Sequence, residues 1–123
     1  MGNLMMIIED DPFQADEIAT YLTRKGVPVS KHLLAATAKE AFEQNPDDYR
    51  VILIDVNLLD ANGIDVAVQF AELSKDVKII CATSAHERMR DHREFLEQKQ
   101  CHNVMLVDKP IPLRMLYSYY TSS

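Results

Sequence analysis

Four runs of strand length, residues 4–8, 51–54, 77–82 and 104–107, are apolar at almost every position. A continuous apolar run of this length, in place of strict alternation, suits a parallel strand covered by helices on both faces. Parallel strands need a long crossover between them, and the intervening segments carry helical punctuation. Asp11 suits an N-cap with Pro12 at the first helical position, and Ala15, Ile18, Ala19 and Leu22 then share one face before Gly26. Thr37 and Glu40 have capping-box spacing for a second helix ending near Gln44. Asn62 and Gly63 precede a third, with Ile64, Ala67, Val68 and Ala71 at helical spacing. Residues 87–100 predict a fourth, highly charged helix whose thin apolar face is Met89 and Leu96. A fifth follows Pro112, with Leu113, Leu116, Tyr117 and Tyr120 on one side and Tyr119 the more exposed tyrosine. A further, more polar strand is predicted at 29–34, where Pro28 favours a sheet edge. The alternation βαβαβαβαβα with right-handed crossovers gives a doubly wound α/β sandwich.

The 123 residues match one domain spanning 1–123, and a hydrophobic content of 47% supports a core without staples. The formal net charge is -6 and lysines and arginines form no stripe, which disfavours direct binding to nucleic acid. Cys81 lies in an apolar run and Cys101 in a predicted loop, a usage that fits a reducing, cytoplasmic setting. No run reaches the apolar length of a membrane span, and the N-terminal residues lack the basic start of a signal peptide. There is no internal repeat and no low-complexity linker.

Open α/β sheets gather ligands beyond the carboxyl ends of their strands. Those positions here hold Glu9, Asp10 and Asp11, then Asp55, then Thr83 and Ser84, then Asp108 and Lys109. Asp11 reads as a helix cap, and Gly63 as a residue that allows the turn into the third helix. Asp55 alone would also fit a plain strand end, and Lys109 alone a solvated lysine. Their company favours a site. Of the two adjacent hydroxyls, Thr83 is favoured over Ser84 by its distance from the apolar run. His32, His86, His92 and His102 lack metal-ligand spacing and read as solvated. Three acids, a hydroxyl and a lysine therefore converge from four separate strands.

The segments IIEDD, VILIDVNLLDANG, IICATS and VMLVDKP, in this order, resemble the CheY-like receiver domains of two-component response regulators over essentially the whole chain. The resemblance implies a flavodoxin-like fold, with a five-stranded parallel sheet in the order 2-1-3-4-5 flanked by five helices. It implies that Asp55 accepts a phosphoryl group from a histidine kinase or phosphotransfer protein. It also implies Mg2+ held by Glu9, Asp10, Asp55 and the backbone carbonyl of Asn57, with Thr83 and Lys109 meeting the phosphoryl group. Such a domain acts on its own Asp55 only, and is not otherwise an enzyme. By the same resemblance the Lys109–Pro110 bond is cis.

The chain departs from the family at three places. Leu59 stands where a proline is usual, which predicts a looser loop. Leu106 replaces the usual Tyr or Phe, which removes the aromatic switch. The stretch from Thr83 to Lys109 is longer than is typical. Readout is therefore expected on the side of the fourth helix, fifth strand and fifth helix, toward a protein partner or an appended output domain. The alternative is a pseudo-receiver, an interaction module working without phosphorylation. A phosphohydrolase is disfavoured because Asn57 occupies the place of its second aspartate.

Overall fold

The computed structural model describes residues 2–123, except for the side chain of His86, whose sequence reading lies outside the described residues. Ten main elements alternate: β1 (Leu4–Ile8), α1 (Pro12–Arg24), β2 (Val29–His32), α2 (Ala35–Gln44), β3 (Tyr49–Asp55), α3 (Gly63–Leu73), β4 (Lys78–Thr83), α4 (Met89–Gln98), β5 (Val104–Asp108) and α5 (Leu113–Thr121). Single 3-10 turns at Pro46–Asp48 and His86–Arg88 lead into β3 and α4. The five strands pair in parallel in the order β2-β1-β3-β4-β5, as the resemblance implies. Among the described residues no helix is long and apolar enough to cross a membrane.

The sheet divides the core into two layers, which explains why the central strands are apolar at successive positions. Met6, Ile8, Ile52, Ile54, Ile79 and Cys81 face one way, against α2, α3 and Leu96 of α4. Met5, Ile7, Val51, Leu53, Ile80 and Ala82 face the other, against Leu22 of α1 and Leu116 and Tyr120 of α5. The polar β2 lies at the edge, where half its surface needs no cover.

Helix starts obey local chemistry in two cases and tertiary chemistry in a third. Asp11 caps α1, its Oδ1 accepting the N–H of Phe13 at 2.9 Å. Asn62 caps α3 through the N–H of Ile64 at 2.8 Å. The capping box expected from Thr37 and Glu40 is not formed, because α2 begins earlier, at Ala35. Thr37 Oγ1 instead donates to the carbonyl of Leu34 at 3.1 Å and lies 3.1 Å from Nδ1 of His32. The first amides of α2 go to Asp60, distant in sequence: Ala35 N–H at 2.9 Å and Ala36 N–H at 3.0 Å.

Three side-chain expectations are corrected by packing. His92 is half-buried on the inner face of α4, beside Met89, Phe95 and Leu96, because helical spacing turns it inward. His32 is half-buried as well, with Nε2 3.0 Å from Ser30 Oγ, and burial pulls its pKa down. Tyr119 is half-buried like Tyr117, while His102 is exposed as read. The charged α4 is also shorter than expected, ending at Gln98 before Gln100 adopts φ 56.

Candidate functional site

The carboxyl ends of β1 and β3, adjacent in the sheet, bring three acids together. Glu9 and Asp55 are buried and Asp10 is half-buried. One carboxylate oxygen from each lies within 4.8 Å of the other two. Glu9 is fixed through its backbone, its N–H donating to the carbonyl of His32 at 3.1 Å. From the far side of the sheet, Lys109 sets Nζ 3.1 Å from Asp55 Oδ2 and 3.2 Å from Glu9 Oε2. The Lys109 N–H donates to the carbonyl of Thr83 at 2.8 Å, which ties it to the end of β4, and its bond to Pro110 is cis. A cavity of about 450 Å³ is lined by Glu9, Asp55, Ser84 and Lys109 together with apolar side chains such as Ile18 and Leu53.

Electrostatics show what the cluster lacks. Burial, then the charge of Asp55, push the Glu9 carboxyl up to about 7, against the opposing pull of Lys109. Burial works against a charged Lys109, yet Asp55 and Glu9 outweigh it and hold the ammonium above its usual range. One lysine cannot offset three acids. An oxygen-rich, net-negative pocket of this kind fits a hard divalent cation such as Mg2+.

Asn57 lies two residues past Asp55 on the exposed loop, and its N–H donates to Asp55 Oδ1 at 3.1 Å. The base of that loop is closed by Val56 N–H to the carbonyl of Ala82 at 3.0 Å and Gly63 N–H to the carbonyl of Val56 at 2.7 Å. Gly63 serves close approach and not an unusual turn conformation. Its backbone lies outside the positive-φ region, but a Cβ there would sit 2.1 Å from the carbonyl oxygen of Asp55.

The two neighbouring hydroxyls are placed differently. Thr83 is fully buried, its Oγ1 accepting the N–H of Ala85 at 3.0 Å, which leaves the hydroxyl proton free to donate elsewhere. Ser84 is exposed and walls the cavity. Leu106 is half-buried and packs into the core layer of α3 and α4. Asp60 was not singled out by sequence reasoning, since only the fold brings residues 35 and 60 together.

Comparison with known proteins agrees with this geometry. The model of the response regulator receiver domain family matches residues 5–120. The TorCAD operon transcriptional regulatory protein TorR of Escherichia coli O157:H7 is 33% identical over 89 residues, covering 72% of this chain and 37% of that protein. The transcriptional regulatory protein LytR of Staphylococcus aureus strain N315 is 33% identical over 84 residues, covering 68% of this chain and 33% of that protein. The chain thus spans about a third of the length of these relatives. Among solved structures, a response regulator receiver domain protein from Clostridium thermocellum superposes with TM-score 0.82 at 16% identity, covering 99% of this chain and 93% of that one. The response regulator TrrA from Thermotoga maritima, in complex with Mg(2+)-BeF, superposes with TM-score 0.79 at 18% identity over 99% and 98% of the two chains. With its sheet order, its three converging acids and its lysine in place, the chain belongs to the response regulator receiver domain family.

Proposed function

We propose that residues 1–123 act as one phospho-accepting unit in which Asp55 takes a phosphoryl group and the surface changes in response. The observation that carries this reading is the convergence of Glu9, Asp10 and Asp55 on one point, with Lys109 Nζ within 3.2 Å of two of them. Glu9, Asp10, Asp55 and the backbone carbonyl of Asn57 would hold Mg2+. Bound there, the ion supplies the positive charge that a cluster of acids needs before a phosphoryl donor can approach.

The chain's own residues divide the remaining work. An Asp55 carboxylate oxygen forms the new O–P bond as the bond from phosphorus to the donor's leaving group breaks with its electron pair. Lys109 offsets charge on the transferred oxygens, and the free proton of Thr83 Oγ1 can be donated to one of them. With a phosphohistidine donor the leaving group is an imidazole, so a sensor histidine kinase or phosphotransfer protein is the proposed partner. A downstream protein or an appended output domain is the proposed reader. A cytoplasmic setting follows from that partnership.

The test is intact mass after incubation with Mg2+ and a small-molecule phosphodonor. One phosphoryl adduct is expected, absent in Asp55→Asn and absent in chelator. An unmodified chain that binds Mg2+ yet takes no adduct from any phosphodonor would overturn the reading and leave a pseudo-receiver.

A further inference from the structure

The loop that follows Asp55 is fastened at its tip as well as its base. At the tip, both carboxylate oxygens of Asp60 are engaged: Oδ1 accepts the N–H of Ala35 at 2.9 Å and Oδ2 that of Ala36 at 3.0 Å. These two bonds hold the Asp60 carboxyl below its usual range. The acceptor is borrowed because Leu34, at the N-cap of α2, has none of its own. Two residues before Leu34 stands His32, whose carbonyl takes the N–H of Glu9. A closed circuit therefore runs from Glu9 to His32, along the start of α2, across to Asp60, and back down the loop to Asn57 and Asp55.

We propose that Asp60 is a positioning residue for the phosphoacceptor site, setting where Asn57 and Asp55 stand relative to Glu9; this rests on the reading of that site given above. Leu59 makes a restraint necessary. It is 79% exposed and lacks the ring that would limit its own backbone, and the local bridge between Asn57 and Asn62 closes the loop below Leu59 and Asp60 without reaching them. The Asp60 fork supplies stiffness from another element, and two parallel charge-assisted bonds fix orientation as well as distance. A plain cap would need only the helix. This one joins the helix to the loop that carries one proposed Mg2+ contact, Asn57, and springs from another, Asp55 at the end of β3.

Capping and positioning can be separated because Leu34 has extended dihedrals, φ -127 and ψ 144, that suit a capping side chain, and it is half exposed. Asp60→Ala removes both functions. Adding Leu34→Ser restores a cap to α2 without restoring the link. Calorimetric titration with Mg2+ is expected to show affinity falling about tenfold in Asp60→Ala, as for lost supporting contacts at other metal sites. In the double variant the unfolding midpoint recovers while the affinity stays low, and Asp60→Asn, with one carboxamide oxygen, falls between. Amide exchange at Asn57 and Gly63 should be faster in both alanine-bearing variants, with or without metal. Affinity that stays within twofold of the unmodified chain, or that recovers together with the midpoint, would reduce Asp60 to a cap. An unmodified chain that binds no Mg2+ would overturn the site reading instead, and the exchange rates would then decide on Asp60 by themselves.

Discussion

Lys109 Nζ lies 3.1 Å from Oδ2 of Asp55, although the two residues sit at the ends of strands separated by β4. The same ammonium reaches Glu9, so one cation serves two buried carboxylates. Replacing it by an apolar side chain of similar reach keeps the stem packing and removes the charge. Lys109→Met is expected to cost about 3 kcal/mol in metal-free protein, the low end of the range for a buried charge left without its partner, since the ammonium is partly exposed. Urea unfolding with and without Mg2+ checks this, and Mg2+ should recover part of the loss.

The raised pKa of Glu9 contributes to the pH response of the metal-free protein with a sign opposite to that of His32, whose pKa is pulled down by burial. Below the usual carboxyl range both folded and unfolded chains hold the proton, and the full contribution is present. As pH rises from there toward about 7 the unfolded chain gives up its proton while folded Glu9 keeps it, so stability drains away. Scanning calorimetry in chelator should therefore show the midpoint of the unmodified chain declining, relative to that of Glu9→Gln, between pH 5 and pH 8. The slope should flatten in Glu9→Gln and weaken in Asp55→Asn, which removes the neighbouring charge. Saturating Mg2+ should oppose the fall, because it binds the ionised form.

Two glycines should respond to alanine for opposite reasons. At Gly63 the added Cβ would meet the carbonyl oxygen of Asp55 at 2.1 Å, and neither backbone can yield without moving the site. Gly63→Ala should cost more than about 3 kcal/mol, among the larger single-residue effects. Gly26 has φ 85 and open space around it, so Gly26→Ala meets only the left-handed strain of about 1–2 kcal/mol. Urea midpoints of the two variants give the comparison directly.

Readout should fall on α4 and β5. In α4 the sole buried residue is Leu96, with Met89, His92 and Phe95 half-buried beside it. A helix held by so few apolar contacts opens at low free energy, and a small event at Thr83 can shift its population. Amide exchange with and without a phosphoryl mimic should change across residues 87–100 and 104–107. Changes confined to the loops at Asp10 and Asp55 would place the output elsewhere.

The fold was legible because burial on both faces of a parallel sheet writes itself as unbroken apolar runs, as at Ile52–Leu53–Ile54. The site was legible because each strand end carries a polar residue whose neighbours in space are set by sheet order alone. What escaped were contacts with no local signature. Asp60 is an ordinary loop acid until α2 arrives beside it, and Thr37 keeps capping-box spacing while the helix starts three residues earlier than that box requires. His92 looked solvated because its neighbours in sequence are charged, whereas the face it shares with Met89 and Leu96 turns inward. Gly63 hinted at a turn, but the reason for it is the carbonyl of Asp55 against its α-carbon.

Tyr120 donates its hydroxyl to the carbonyl of Asn3 at 2.6 Å, and Gly2 and Ser123 wall one shallow depression at the amino ends of the strands. The acids and Lys109 occupy the opposite pole. Fluorophores or surface-immobilisation handles attached beside Gly2 would therefore sit a full strand length from the acids, so the protein can be mounted by its base with the reactive pole facing solution.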